Sequence, residues 1–208
     1  MTHFSVTVAI DATVAAGDDL FAAVDAALAP YDENLTVAPY IAMTRMQAEA
    51  NKQFVTWWRE HQRGMDYFAA ARAWWGDVVD EGGNIMSTSN PDAVWDWWVV
   101  GGRFAGEWVL TPGAARALES YPSAFGYTDA IQNLNRTDAA RKGEIEPESI
   151  SPTYAFVDLD GKWHQQGRIL WFGQAAGERD DQDWAVEYTR WFKALPAAVW
   201  VVRVDAHV

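Results

Sequence analysis

The segment Trp95-Asp96-Trp97-Trp98-Val99-Val100-Gly101-Gly102-Arg103-Phe104-Ala105-Gly106-Glu107-Trp108 gathers two carboxylates, a guanidinium and several indoles into a short stretch. With Gly101-Gly102 as a two-residue hairpin turn, Val100 pairs with Arg103, and the ladder runs outward until Asp96 faces Glu107 and Trp95 faces Trp108. One face, carrying Trp95, Trp97, Val99, Phe104 and Trp108, is then core, with Gly106 leaving room for Trp97. The other face carries Asp96, Trp98, Arg103 and Glu107. Like charges placed directly opposite destabilise a strand pair unless a cation, a shared proton or a ligand offsets them. These four residues are therefore the first candidate site, in which an anionic aromatic molecule stacks on Trp98 while Arg103 reaches its charge. The competing account is packing, with a basic residue bridging the acids and Trp98 lying under a helix.

A second constellation lies at the termini. If the first and last strands are adjacent and antiparallel, His3, Ser5 and Thr7 share a face with Arg203, Asp205 and His207. Two imidazoles and a carboxylate have the donor types for a divalent metal or for general acid–base work, and His3, Asp205 and His207 are the secondary candidates. Solvated polar residues on an open sheet face would give the same pattern. His61, between Trp57, Trp58 and Met65, reads as a hydrogen-bonded histidine at the edge of a core. Asp180, Asp181 and Asp183 suit a helix N-terminus without any ion. Walker, dinucleotide, nucleophile-elbow and HExxH patterns are missing, so no metal site and no cofactor is implied.

The elements that must position these groups follow from periodicity. His3–Ile10 alternates as a half-buried strand. Leu20, Phe21, Val24 and Leu28 recur at helical spacing before Pro30, and Thr44 caps a long helix that Gly64 kinks or splits. Asp180–Leu195 is an amphipathic helix closed by Pro196. Hairpins are expected over Val94–Leu110 and over Thr153–Ile169, the latter turning at Asp160-Gly161. Val199–Val208 is the last strand. Residues 111–151 read as a surface excursion with a short helix near Asp129–Leu134. The pattern predicts one α+β domain over 1–208, a mainly antiparallel sheet with helices packed on one face, a ferredoxin-like core with insertions being the most economical version.

Composition narrows the function. Acidic residues outnumber basic ones 29 to 16, a net charge of −13 in 208 residues, which disfavours direct binding to nucleic acid or to an anionic membrane. There is no cysteine, which removes disulfides and thiolate chemistry. The opening Met1-Thr2-His3-Phe4 has no basic leader region and no apolar run reaches membrane-spanning length, so a cytoplasmic protein is expected. Tryptophan is abundant, at 13 residues, which suits stacking on flat rings. Exposed indoles and sheet edges also make a homodimer plausible.

The His3-Phe4 opening, the Pro30-Tyr31-Asp32-Glu33-Asn34 segment, the Trp95–Arg103 run ending in Gly-Gly-Arg, the Asp160-Gly161-Lys162-Trp163 turn and the closing Asp205-Ala206-His207-Val208 together resemble a family of uncharacterised proteins of tailed bacteriophages and prophages. The resemblance spans the chain and implies a setting, the cytoplasm of an infected bacterium, without a catalytic residue. Three classes stay open. The first is a phage accessory protein that binds a small, nucleotide-like anionic aromatic ligand and sequesters a host defence signal. The others are a metal-assisted hydrolase or phosphodiesterase, and an acidic interaction protein that inhibits a host protein.

Overall fold

Alternation puts Phe4, Val6, Val8 and Ile10 of strand β1 (His3–Ile10) on one face of a sheet, where each is buried. The computed structural model describes residues 2–61, 64–76, 78–114, 135–169, 175–177 and 179–208. The chain divides into two compact units, Met1–Glu33 with Asp92–Val208, and Asn34–Pro91.

In the first unit β1 is central. Strand β12 (Trp200–His207) runs antiparallel beside it over its whole length, from His3↔His207 to Ile10↔Trp200. On the other side β8 (Ala155–Val157) is parallel to β1, and β9 (Trp163–Gln165) closes that edge antiparallel to β8. Along the far edge of β12, β4 (Trp97–Val100) pairs with its C-terminal half and β7 (Ala139–Arg141) with its N-terminal half. Two ribbons lie apart from this sheet: β5 (Trp108–Val109) with β6 (Arg136–Thr137), and β10 (Arg168–Ile169) with β11 (Ala175–Ala176).

Helix α1 (Asp18–Leu28) buries Leu20, Val24 and Leu28 against the Phe4, Val6, Val8 face. Full burial of each such side chain contributes about 1.5–3 kcal/mol. Helix α5 (Asp181–Ala194), capped by Asp180, buries Trp184, Tyr188 and Phe192 with Ala9, Phe156 and Val201. Because Ala9 alternates with Val8 and Ile10, α5 covers the opposite face. The α+β class with a mainly antiparallel sheet holds, but the helices pack on both faces, not one. The hairpin β8–β9 also differs from a ferredoxin-like core, where the later hairpin strand lies beside β1. Here it is the earlier strand, β8, with β9 outside it.

The expected turn at Asp160-Gly161 is present, and Gly161 has φ +75°. Tyr31 ties this turn to the N-terminal region: its hydroxyl donates to Gly161 O (2.7 Å) and accepts from Trp163 N (3.0 Å). The 111–151 stretch is more than a surface excursion. Its Ala139 and Ala140 are buried within the main sheet, because small side chains let β7 sit between the two covering layers. The helix expected near Asp129–Leu134 lies outside the described residues.

The second unit pairs β2 (Thr36–Met43) with β3 (Ile85–Ser89). Three helices lie between them: α2 (Arg45–Ala50), α3 (Lys52–His61) and α4 (Tyr67–Trp75). Thr44 caps α2 in a capping box with Gln47. The single long helix is broken twice, at Asn51, whose side chain accepts from Phe54 N, and around Gly64 at φ +92°. Phe54, Tyr67, Ala70 and Ile85 form this unit's own core, with Trp57, Trp58 and Trp75 packed on it.

Candidate functional site

The polar face of β12 supplies the chemistry. Arg203, Asp205 and His207 alternate with Val202, Val204 and Ala206, so three polar side chains point to the α5 side, and all three are buried. The register puts Asp205 opposite Ser5 and His207 opposite His3. This pairing is the one expected for the termini. The face is not the open, solvated one that competed with it: Tyr188 of α5 reaches Thr7, Trp108 lies against Arg203, Gly102 against Asp205 and Trp97 on His207.

Two histidine–carboxylate dyads form where the strands meet. His3 Nδ1 donates to both oxygens of Asp205, at 2.9 and 3.1 Å. Asp205 Oδ2 also accepts from the backbone N of Arg103 at 2.9 Å. His207 Nδ1 donates to Asp96 Oδ1 at 2.6 Å, while Asp96 N donates to His207 O at 2.9 Å. The imidazoles meet edge to face with centroids 5.2 Å apart. Trp97 lies flat on His207, 5.0 Å away at 12°, and edge-on to His3 at 5.3 Å. His207 Nε2 is sealed without a partner, whereas His3 Nε2 makes no hydrogen bond and is not sealed.

Gly101 and Gly102 explain how the backbone reaches Asp205. A Cβ on Gly102 would lie 2.5 Å from both Cβ and Oδ2 of Asp205, and one on Gly101 would lie 2.6 Å from Asp138 Oδ2. Both residues have positive φ, +72° and +52° in order. The loop thus wraps two buried carboxylates, and Asp138 Oδ1 takes a second loop donor, Gly106 N, at 2.7 Å. Asp138 left no signal in the sequence, since it precedes two alanines in an unpatterned stretch.

The Val94–Leu110 hairpin does not form. After β4 the Gly101-Gly102 turn enters a 3-10 segment, Gly102–Phe104, and the chain leaves to pair β5 with β6. Asp96 and Glu107 therefore never face each other: Asp96 binds His207, and Glu107 forms an ion pair with Arg203. Separate partners, the His207 imidazole and the Arg203 guanidinium, resolve the like-charge conflict of the expected register. Trp98 points to the other face and packs on Phe21 at 5.1 Å. Arg103 is near Asp205 through its backbone, and its side chain is exposed. Of the first candidate set, Asp96 alone joins the histidines, with Arg103 bordering them.

Arg203, which alternation places on this face beside Asp205 and His207, is a buried charge. Its guanidinium sits 5.0 Å over Trp108 and donates from Nη2 to Ser151 O at 3.3 Å. Burial pulls its pKa down to about 10, since a desolvated cation is disfavoured. His61 is exposed at the end of α3, with its Nδ1 bonded to Trp57 O at 3.1 Å and its ring stacked on Trp57, which packs on the second unit's core. Among the described residues, no three His, Asp or Glu side chains are placed to hold a metal ion. None of their helices is long and apolar enough to cross a membrane. No protein-family model, curated protein or solved structure matches the chain.

Proposed function

We propose that the first unit is a hydrolase for a small anionic substrate, with His3 as its general acid–base and Asp205 as the carboxylate that orients it. The observation that carries this reading is the asymmetry of His3. Its Nδ1 is committed to a buried carboxylate that is itself held by a backbone N–H, while its Nε2 stays open. A carboxylate on Nδ1–H fixes the tautomer and stabilises the imidazolium, the role it plays in hydrolytic triads. His3 Nε2 takes a proton from the attacking water as the water oxygen bonds to the substrate centre. It returns that proton to the leaving oxygen as the old bond breaks. Arg103, exposed on the adjoining loop, supplies the positive charge that an anionic, nucleotide-like substrate requires. His207, with its sealed Nε2, is a positioning residue that holds the edge of His3. A phosphodiester fits this arrangement, and the bacterial cytoplasm implied by the phage resemblance is the proposed setting.

The test is hydrolysis of bis(4-nitrophenyl) phosphate and of a set of linear and cyclic dinucleotides by the purified chain. His3→Ala and Asp205→Asn should each lower kcat by about 100-fold or more, the usual range for losing a general acid–base. Turnover that survives His3→Ala in a folded variant would refute the assignment. A dinucleotide retained in native mass spectrometry without turnover would replace it with the binding-protein reading.

A further inference from the structure

The second unit carries a site that the hydrolase reading does not use. Helices α3 and α4 border an open groove of about 490 Å³ whose wall is the pair Trp57 and Trp74, in contact at 5.0 Å with their planes 54° apart. Trp74 is 38% exposed although it sits among aromatic residues, which is unusual for an indole with core positions at hand. Polar side chains complete the lining: Lys52, Gln53, Thr56, Glu60 and His61.

We propose that this groove binds a neutral saccharide. Two features of the lining select that ligand. The indoles touch, so a flat base cannot be clamped between parallel faces; instead they offer two surfaces in different planes, as successive puckered rings of an oligosaccharide present. Lys52 and Glu60 contribute one charge of each sign to the lining, leaving no net positive charge for a phosphate. What remains is a mixture of donors and acceptors, with Gln53 able to do both, which suits hydroxyl groups that themselves donate and accept. Apolar ring faces against indoles, with a few directional polar groups at the rim, is the general composition of a small-molecule site.

The experiment is saturation-transfer NMR and calorimetry on the full chain with maltotriose, cellotriose and triacetylchitotriose, and with AMP as the charged flat-ring control. At least one trisaccharide should bind and AMP should not. Trp74→Ala should weaken that binding about 3- to 10-fold, as expected for losing one aromatic stacking partner. Gln53→Ala, on an exposed position that leaves the aromatic packing intact, should also weaken it. Neither variant should change phosphodiester hydrolysis, which keeps this inference separate from the hydrolase assignment. Failure of all three trisaccharides to bind, unchanged affinity in Trp74→Ala, or preference for AMP would each overturn it.

Discussion

Gly102→Ala offers the sharpest test of how the site is built. The added methyl would stand 2.5 Å from Asp205 Cβ and Oδ2, and the residue would have to keep φ at +52°. The conformation alone costs about 1–2 kcal/mol for a residue with a Cβ. Asp205 cannot yield cheaply, because its Cβ is fixed to a central strand and its side chain is buried. The loop must lift instead, and the carboxylate then loses the Arg103 N–H, a charged hydrogen bond contributing about 1.5–3 kcal/mol. The total destabilisation is about 2.5–5 kcal/mol, a large part of the stability of a domain this size. Gly161→Ala is the internal control: φ is +75°, yet nothing lies within 4 Å of the new Cβ, so only the conformational part of about 1–2 kcal/mol applies. Urea unfolding reads both variants as shifts in midpoint at constant slope. Gly102→Ala should also alter the His3–Asp205 hydrogen bond, because the carboxylate that accepts it loses the Arg103 N–H, and the change is visible in the His3 ring-nitrogen chemical shifts. Equal destabilisation of the two variants, or an unchanged His3 resonance in Gly102→Ala, would refute the account of the loop as a clamp on Asp205.

Tyr188 and Glu107 give two further tests. Burial pushes the Tyr188 phenol from its ordinary value near 10 up to about 12, so the fold requires the neutral form, whose hydroxyl meets Thr7 Oγ1 at 2.9 Å. The associated stability is fully present below about pH 10 and is lost as pH rises toward 12, by about 3 kcal/mol over that window. Tyr188→Phe should be about 1 kcal/mol less stable at pH 8 and should close the gap with the parent chain above pH 10. Urea midpoints that stay parallel across this range would contradict the linkage. Glu107→Ala should cost about 1–2 kcal/mol in the same assay, less than the 3–5 expected for breaking a fully buried pair. The reason is that the Glu107 side chain is 42% exposed, so water replaces it beside Arg203.

What the sequence could disclose follows the range of the forces involved. Strands β1 and β12, helix α1 and helix α5 declare themselves through local apolar spacing, and the Asp160-Gly161 turn through residues that tolerate its geometry. The terminal strands are also long enough that antiparallel pairing brings His3 to His207 and Ser5 to Asp205 without further information. The Gly101-Gly102 pair reads locally as a hairpin turn because positive φ at two successive positions suits one. The same freedom serves a different end here, close approach to Asp205, whose partner Arg103 lies 102 positions away. Local pattern carries no information about such a partner, and the Asp96 and Glu107 register went astray for that reason.

The tryptophans show the same limit from the side of packing. Their abundance suggested a stacking site, yet many of them fill volume that the sheet leaves open. The main sheet is lined at its centre by small residues, with Ala9, Ala139, Ala140, Ala155 and Ala206 all buried. Small side chains in the strands demand large ones in the covering layers if the interior is to reach normal density. Trp108 and Trp184 fill the α5 side, and Trp95 and Trp200 fill the α1 side, where their indole N–H groups donate to Leu28 O (3.1 Å) and Val14 O (2.9 Å). Trp97 and the Trp57–Trp74 pair differ, because each sets an aromatic face beside polar groups rather than inside an apolar layer. An indole count cannot separate these roles; what separates them is whether a small residue lies across the interface to be covered.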